Sequence, residues 1–393
     1  MTSKPQSPDN SAAMRFVIGF GMVSLFADFT YEGGRSIVGP YLAVLGASPF
    51  LVGAIAGAGE FLGYALRLAS GSFVDRRGHA WPLIYLGYAV NLLALPALAL
   101  VSAVAPAAAL VFAERLGKGI RNPPRDTLLA DVGGGIGRGK AFGIHELLDQ
   151  IGATIGPLAV AGAVAWSGYR LGFGVLLLPA LVALAILVTV RRLQPPREPT
   201  AATAPTEPAA VGFSPTYWRY LIFVTLGVTG LAHFVLIAYR LETAHVVAAG
   251  TIPLLFALAM GVDAVASYVA GREYDRVGLR VLYGLPLLTL PTAPLLFLGN
   301  RAWPIVLGMV LWGAAMGLQE SVMRAAVAEL VPAVRRGTAY GLFDTAIGSA
   351  SLLGGIAMGW LLGVAPALLV VFALAGPVLS IVPLVGLVQR TAP

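Results

Sequence analysis

Hydrophobic positions in this chain come in long unbroken blocks and do not alternate with polar ones. Twelve such blocks fall near residues 14–45, 49–70, 81–102, 106–131, 139–166, 170–190, 217–241, 249–270, 280–299, 303–330, 337–362 and 366–388, set apart by short charged, glycine or proline breaks. Runs of about 20 apolar residues match the hydrocarbon thickness of a bilayer, so each predicts a membrane-spanning helix. Between the sixth and seventh blocks, residues 191–216 hold prolines at 195, 196, 199, 205, 208 and 215 among Ala, Thr and Glu. That composition cannot bury a core and predicts a solvated linker. The pattern predicts an all-α membrane protein with twelve transmembrane helices in two pseudo-symmetric six-helix bundles. Its parts are a tail 1–13, bundles 14–190 and 217–388, the linker 191–216, and a tail 389–393. The first block is too long for a secretory h-region and lacks a small-residue cleavage pattern, so it is expected to be a retained helix.

Composition agrees with a membrane protein. The chain is 58% hydrophobic and 11% charged, with a mean hydropathy of +0.82, which leaves too little polar surface to cover a soluble globule. The absence of cysteine excludes disulfides, thiolate metal sites and thiol catalysis. A net charge of +7 raises the possibility of nucleic-acid binding, but placement removes it. Arg76 and Arg77, Arg138 and Lys140, Arg191, Arg192 and Arg197, Arg276 and Arg280, and Arg335 and Arg336 all fall in alternate loops on the linker's side. By the positive-inside rule, both termini and the linker are expected in the cytoplasm of a cell whose inner or plasma membrane holds the protein.

The chain is also written twice. Gly71-Ser-Phe-Val-Asp75-Arg76-Arg-Gly78 returns as Gly271-Arg-Glu-Tyr-Asp275-Arg276-Val-Gly278, and Arg138-Gly-Lys-Ala-Phe-Gly143 as Arg336-Gly-Thr-Ala-Tyr-Gly341. Asp131 answers Glu329, and Glu146 answers Asp344. Two parallel six-helix repeats follow. Together with Arg115-x-x-x-Gly119 and Gly152-x-x-x-Gly156-Pro157, these features make the chain resemble the major facilitator superfamily over nearly its whole length. Asp28-Phe-Thr-Tyr-Glu32, taken with the stretch Arg115 to Asp126, is similar to a bacterial subgroup whose substrates are mostly unassigned.

The resemblance implies a secondary transporter that works by alternating access and is not an enzyme. It also implies that Asp75 and Asp275 latch the cytoplasmic side against helix starts near Gly337 and Gly139, with Arg76 and Arg276 close to Asp131 and Glu329. Gly71, Gly78, Gly271 and Gly278 bound the two latching turns. In the superfamily, a motif like Gly152, Gly156 and Pro157 is associated with antiporters, which favours export. The same residues would let another helix approach closely and would add a kink.

Ionisable groups inside membrane spans are costly, so they face a cavity or one another. Asp28, Glu32 and Arg35 lie at i, i+4 and i+7, on one face of the first helix, with Tyr31 beside them. Asp28 and Glu32 are expected to exchange a proton with substrate, Asp149 and Asp263 being further proton-coupling candidates. In the fourth helix, Glu114, Lys118, Arg121 and Arg125 share a face, with Arg115 and Asp126 on a neighbouring one. Arg35, Arg115, Lys118 and Arg121 are therefore expected to meet substrate, helped by Tyr31, Asn91, Gln319 and a mid-helix His233. Glu320 and Arg324, at i and i+4, are expected to pair with each other.

Two tempting motifs fail. His145-Glu-Leu-Leu-Asp149 has Asp where a zinc protease needs its second His, so no metal is expected. Gly134-x-x-x-x-Gly139-Lys140 ends in Ala141 where a phosphate loop needs Ser or Thr, so no ATP chemistry and no cofactor is expected. The expected partners are protons, membrane lipids and a small molecule, with the protein working as a monomer. Lipid, drug, siderophore and metabolite all stay open as cargo. The leading expectation is a proton-coupled exporter; the alternatives are proton-coupled uptake of a small organic anion and, remotely, a non-transporting receptor or scaffold.

Overall fold

A computed structural model describes residues 10–77, 80–133, 136–194, 212–332 and 335–391. Thirteen α-helices are found among them: α1 Asn10–Val44, α2 Pro49–Arg77, α3 Ala80–Ala97, α4 Val104–Gly133, α5 Arg138–Gly174, α6 Leu177–Leu193, α7 Pro215–Thr229, α8 Phe234–Thr243, α9 Thr251–Val277, α10 Gly284–Phe297, α11 Ala302–Leu330, α12 Arg336–Val364 and α13 Pro366–Thr391. Among the described residues, nine helical segments are long and apolar enough to cross a membrane. The 54-residue segment Lys140–Leu193 is broken at Ser167 and Gly168, and the 47-residue segment Thr251–Phe297 by a 3-10 turn at Gly278–Tyr283, so each is long enough to cross twice. α4 is long enough as well, although its charges lower its hydropathy.

Four helix ends near the repeated loop and the linker differ from the expected ones. The repeated loop motif is helical through Arg77 and Val277, because nothing before Gly78 or Gly278 obstructs a helix. Gly278 then takes φ 60°, a left-handed conformation that glycine adopts without steric cost, and ends α9. The linker is narrower than expected, since α6 continues to Leu193 and α7 begins at Pro215.

The expected seventh helix is two helices. Thr229 ends α7, His233 is extended at φ −64°, ψ 139°, and α8 starts at Phe234. Gly230 packs against Gly376 and Pro377 so tightly that a Cβ there would come within 2.5 Å of the Pro377 ring. Broken backbone inside a membrane needs partners. Trp312 Nε1 donates to the Ala232 carbonyl (3.0 Å), and His233 Nε2 lies 3.1 Å from the Ser351 carbonyl oxygen. His233 therefore sits at a helix break and not in mid-helix.

Burial places the halves relative to one another. One large apolar core, including Tyr41, Phe173, Phe234, Phe256 and Trp312, draws on both halves at the end away from the linker, the far end. At the linker end the cores are separate: Phe16, Phe20, Ile84 and Leu187 in the first half, Tyr217, Tyr220, Val327 and Phe343 in the second. Far-end contacts between the halves are backbone-close. A Cβ on Gly53 of α2 would stand 2.1 Å from the Gly355 carbonyl oxygen of α12. Tyr239 of α8 donates to the Ala47 carbonyl (3.0 Å), and Tyr169 donates to Glu242 Oε2 (2.5 Å).

Candidate functional site

Between the separated linker-end cores lies a cavity of about 790 Å³. Its deep end is roofed by Tyr31, His233 and Trp312, and its mouth carries Arg67, Asp126, Gly337 and Tyr340, so it opens at the linker end. Asp28, Tyr31, Glu32, Arg35, Arg115, Lys118, Asp149, His233, Asp263 and Gln319 all line it.

Two expected substrate contacts lie elsewhere. Arg121 is fully buried against α3, its guanidinium 4.3 Å from the Tyr88 ring centroid and Nη2 3.8 Å from Asp28 Oδ1. Asn91, also fully buried, donates to Glu114 Oε1 (2.9 Å) and to the Glu114 carbonyl (3.1 Å). The expected grouping of α4 side chains is thereby split. Glu114 and Arg121 turn toward α3, while Arg115, Lys118 and Arg125 face the cavity. Neighbours at i+3 and i+4 both sit near one face, so spacing alone leaves the edge of that face undecided.

The first-half wall is a network centred on Tyr31. Arg115 donates to the Tyr31 hydroxyl, and Lys118 Nζ stands 3.4 Å from the centroid of its ring. Arg115 Nη1 also meets Glu60 Oε1 at 3.0 Å, and its Nε meets Glu114 Oε2 at 3.4 Å. Arg35 pairs with Glu32 at 3.5 Å. Sequence reasoning missed Glu60 and Arg67, both on the cavity wall. The signal was present, since Glu60, Tyr64 and Arg67 repeat the i, i+4, i+7 spacing that singled out Asp28, Glu32 and Arg35.

Asp28 of α1 and Asp149 of α5 are brought together at the cavity wall, close enough for their carboxyl groups to interact electrostatically. The approach depends on small residues one to two turns away. A Cβ on Gly152 would lie 2.1 Å from the Leu25 carbonyl oxygen, and one on Gly156 2.2 Å from that of Phe29. Asp149 Oδ1 is buried and receives no hydrogen bond among the described residues.

His145, one turn earlier, has Nε2 2.9 Å from Ser24 Oγ. His145, Glu146 and Asp149 could bring three ligand atoms within 4.8 Å of one another. One histidine and two carboxylates make an oxygen-rich donor set, unlike the two-histidine zinc site that the sequence superficially suggests.

On the second-half wall, Asp263 of α9 is 2% exposed, and Ser267 Oγ lies 3.3 Å from its Oδ1. Arg324 Nη2 lies 3.9 Å from Asp344 Oδ1 on α12, a correction to the expected pairing with Glu320. Glu320 instead faces the cavity.

Of the expected gating residues, Gly71 and Gly271 are inside helices α2 and α9. The side chains of Asp75 and Arg76, and all of Gly78, lie outside the described residues. Arg276 pairs with Glu273 at 2.9 Å, not with Glu329, which accepts a hydrogen bond from Tyr274. Asp131 and Asp275 are exposed at the linker end.

The sequence profile of the Major Facilitator Superfamily matches residues 16–241 and 221–393, which together span the helical chain. The chain belongs to this superfamily. A protein of uncharacterized function from Mycobacterium tuberculosis, Rv2265, is 40% identical over 390 residues, covering 97% of this chain and 95% of that one. An uncharacterized MFS-type transporter of Methanocaldococcus jannaschii, MJ1317, is 24% identical over 376 residues, covering 92% and 91%.

Among solved superfamily structures, a POT family transporter in complex with 5-aminolevulinic acid superposes with a TM-score of 0.77 at 13% identity, over 96% of this chain and 97% of that one. The nucleoside transporter NupG superposes with a TM-score of 0.72 at 12% identity, over 97% and 100%. At such identities the likeness shows the fold alone. Superfamily membership and fold together make this a multi-pass membrane transporter and not an enzyme.

Proposed function

We propose that the protein is a proton-coupled exporter of a small organic molecule, an antiporter of the inner or plasma membrane with both termini and the linker in the cytoplasm. The observation that carries the proton coupling is the Asp28–Asp149 pair. Two neighbouring carboxylates in a poorly hydrated wall repel each other when both are ionised, and one shared proton removes the repulsion. That proton also supplies the donor that the buried Asp149 Oδ1 lacks.

The groups facing the pair are Ser24 and Glu32 on α1, Lys118, Arg121 and Arg125 on α4, and His145 on α5. Among them Arg121, at 3.8 Å, is the fixed counter-charge for whichever carboxylate stays ionised. Its role is electrostatic positioning behind the wall. Glu32, held by Arg35, and Asp263 are the remaining proton-coupling candidates. Basic residues concentrated at the linker end support a cytoplasmic mouth for the cavity, the side from which an exporter loads its cargo.

The test needs no known substrate. Infrared spectra of the purified protein in lipid vesicles at neutral pH are expected to contain a protonated-carboxyl carbonyl band that Asp28→Asn and Asp149→Asn each remove. A spectrum without that band, or one unchanged in both variants, overturns the proton site. Direction is read from cells expressing the protein, which are expected to be depleted of a transported dye and not to accumulate it. The second reading, uptake of an organic anion, is favoured by Lys118, a cavity cation with no carboxylate within 4.0 Å; accumulation in the same cells selects it.

A further inference from the structure

The cavity's charges are balanced within the ion pairs but unbalanced between the two walls. On the first-half wall, Glu32 and Glu60 are taken by Arg35 and Arg115 and the Asp28–Asp149 pair has Arg121, while Lys118 rests on the Tyr31 ring with no carboxylate within 4.0 Å among the described residues. On the facing wall the imbalance is of opposite sign. Asp263 and Glu320 have no basic partner within 4.0 Å among the described residues, because Arg324 is held by Asp344. Beside Glu320, Gln319 presents a buried carbonyl oxygen that receives no hydrogen bond. The cations within electrostatic reach of Glu320 are Lys118 and Arg35, both across the cavity, and Arg324 on its own helix, which Asp344 engages.

Resting on the transporter reading above, we infer that the cargo is a zwitterion. Its anionic group sits on Lys118 at the edge of Tyr31, and its protonated amine sits between Glu320 and Asp263 with one N–H directed to Gln319. In alternating access the loaded site must be shut from water on both sides, and every unmatched charge left in it is then desolvated at high cost. An anion would leave the acidic wall unmatched, and a cation would leave Lys118 unmatched. A molecule carrying both charges satisfies both walls and adds no net charge to the occluded protein. The volume of about 790 Å³ lies within the range of small-molecule sites and admits a ligand of dipeptide size.

The experiment uses the full-length purified protein and thermal-shift titration with matched probes, without any ion gradient. The probes are alanylphenylalanine and free phenylalanine, and for each its N-acetyl derivative (anion only) and its amide (cation only). At least one parent zwitterion is expected to raise the melting temperature, with both of its derivatives at least tenfold weaker. Lys118→Gln and Glu320→Gln are each expected to weaken the zwitterion at least tenfold, whereas Lys118→Arg, which keeps the charge, restores binding. Each variant's own melting curve reports whether it folds.

An N-acetyl derivative that binds as well as its parent and is indifferent to Glu320→Gln would assign an organic anion and overturn the inference. An amide that binds best, indifferent to Lys118→Gln, would assign a cation, and no stabilisation by either zwitterion at millimolar concentration also counts against it. None of these outcomes touches the Asp28–Asp149 infrared band, so failure of the cargo class is separable from failure of the proton site.

Discussion

The far-end closure rests in part on two tyrosine hydroxyls, and removing both should tilt the protein toward its other conformation. Tyr169 donates to the Glu242 carboxylate across the halves at 2.5 Å, and Tyr239 donates to the Ala47 carbonyl at 3.0 Å. Both bonds join parts that must separate when the far end opens, so they stabilise only the state with the linker-end cavity. A hydrogen bond to a charged group contributes about 1.5–3 kcal/mol, and a neutral one about 0.5–1.5. Glu242 is partly exposed, which pulls the first toward its lower limit, so Tyr169→Phe with Tyr239→Phe should cost the closed far end about 2 kcal/mol. At about 1.4 kcal/mol per factor of ten, the population ratio moves roughly thirtyfold.

The chain has no native cysteine, so two can be placed without background. Spin labels at Ser102→Cys and Arg301→Cys, both exposed in far-end loops of opposite halves, report the opening as a distance distribution. A second, longer component should grow in the double variant. A distribution identical to that of the parent, with unaltered folding, would refute the assignment of these bonds as closing contacts.

Three further outcomes follow from the packing. Trp312→Phe should lower stability by about 1–2 kcal/mol by depriving the Ala232 carbonyl of its donor, seen as a lower melting temperature and faster amide exchange at 231–236, with α5 unchanged. Gly152→Val places a Cβ 2.1 Å from a backbone oxygen that cannot rotate away, and should cost about 3 kcal/mol or prevent recovery of monodisperse protein. Gly143→Val on the same helix, with nothing within 4 Å, is the comparison expected to stay near the parent melting temperature. Glu60→Gln should reduce thermal stability by about 1–3 kcal/mol, because Arg115 loses the carboxylate at 3.0 Å and stays buried; a melting curve matching the parent's would show that Glu114 and Tyr31 suffice.

Much of this architecture was legible from hydropathy, because a bilayer-length apolar run has few alternative fates and the repeat of 71–78 at 271–278 disclosed the duplication. The face of α1 carrying Asp28, Glu32 and Arg35 was legible for a similar reason: charge inside a long apolar run has to point somewhere polar. What escaped the sequence depended on partners distant in the chain. Nothing local marks 230–233 as a helix break, since its cause is the approach of Gly376 and Pro377 to Gly230. The meeting of Asp28 and Asp149 on one cavity wall needs the α1–α5 approach at Gly152 and Gly156, and a glycine pair does not name the helix it will meet. Arg324 found Asp344 on α12 rather than Glu320 one turn away, a choice set by helix rotation and not by spacing.

The break ahead of α8 bears on where the moving parts divide. α8 belongs by sequence to the second bundle, yet it lies chiefly along α1 and α2 of the first, with Val235 against Gly39 and Tyr239 against Ala47. Prising the far end apart along the sequence boundary would strip this ten-residue helix from its bed. Flexing at Gly230–His233 would let the helix leave that bed as a unit, while the backbone staples from Trp312 and His233 keep its root in the second bundle. The working joint of the far end then lies in four residues beside Trp312, where a helix rooted in the second bundle peels away from the first.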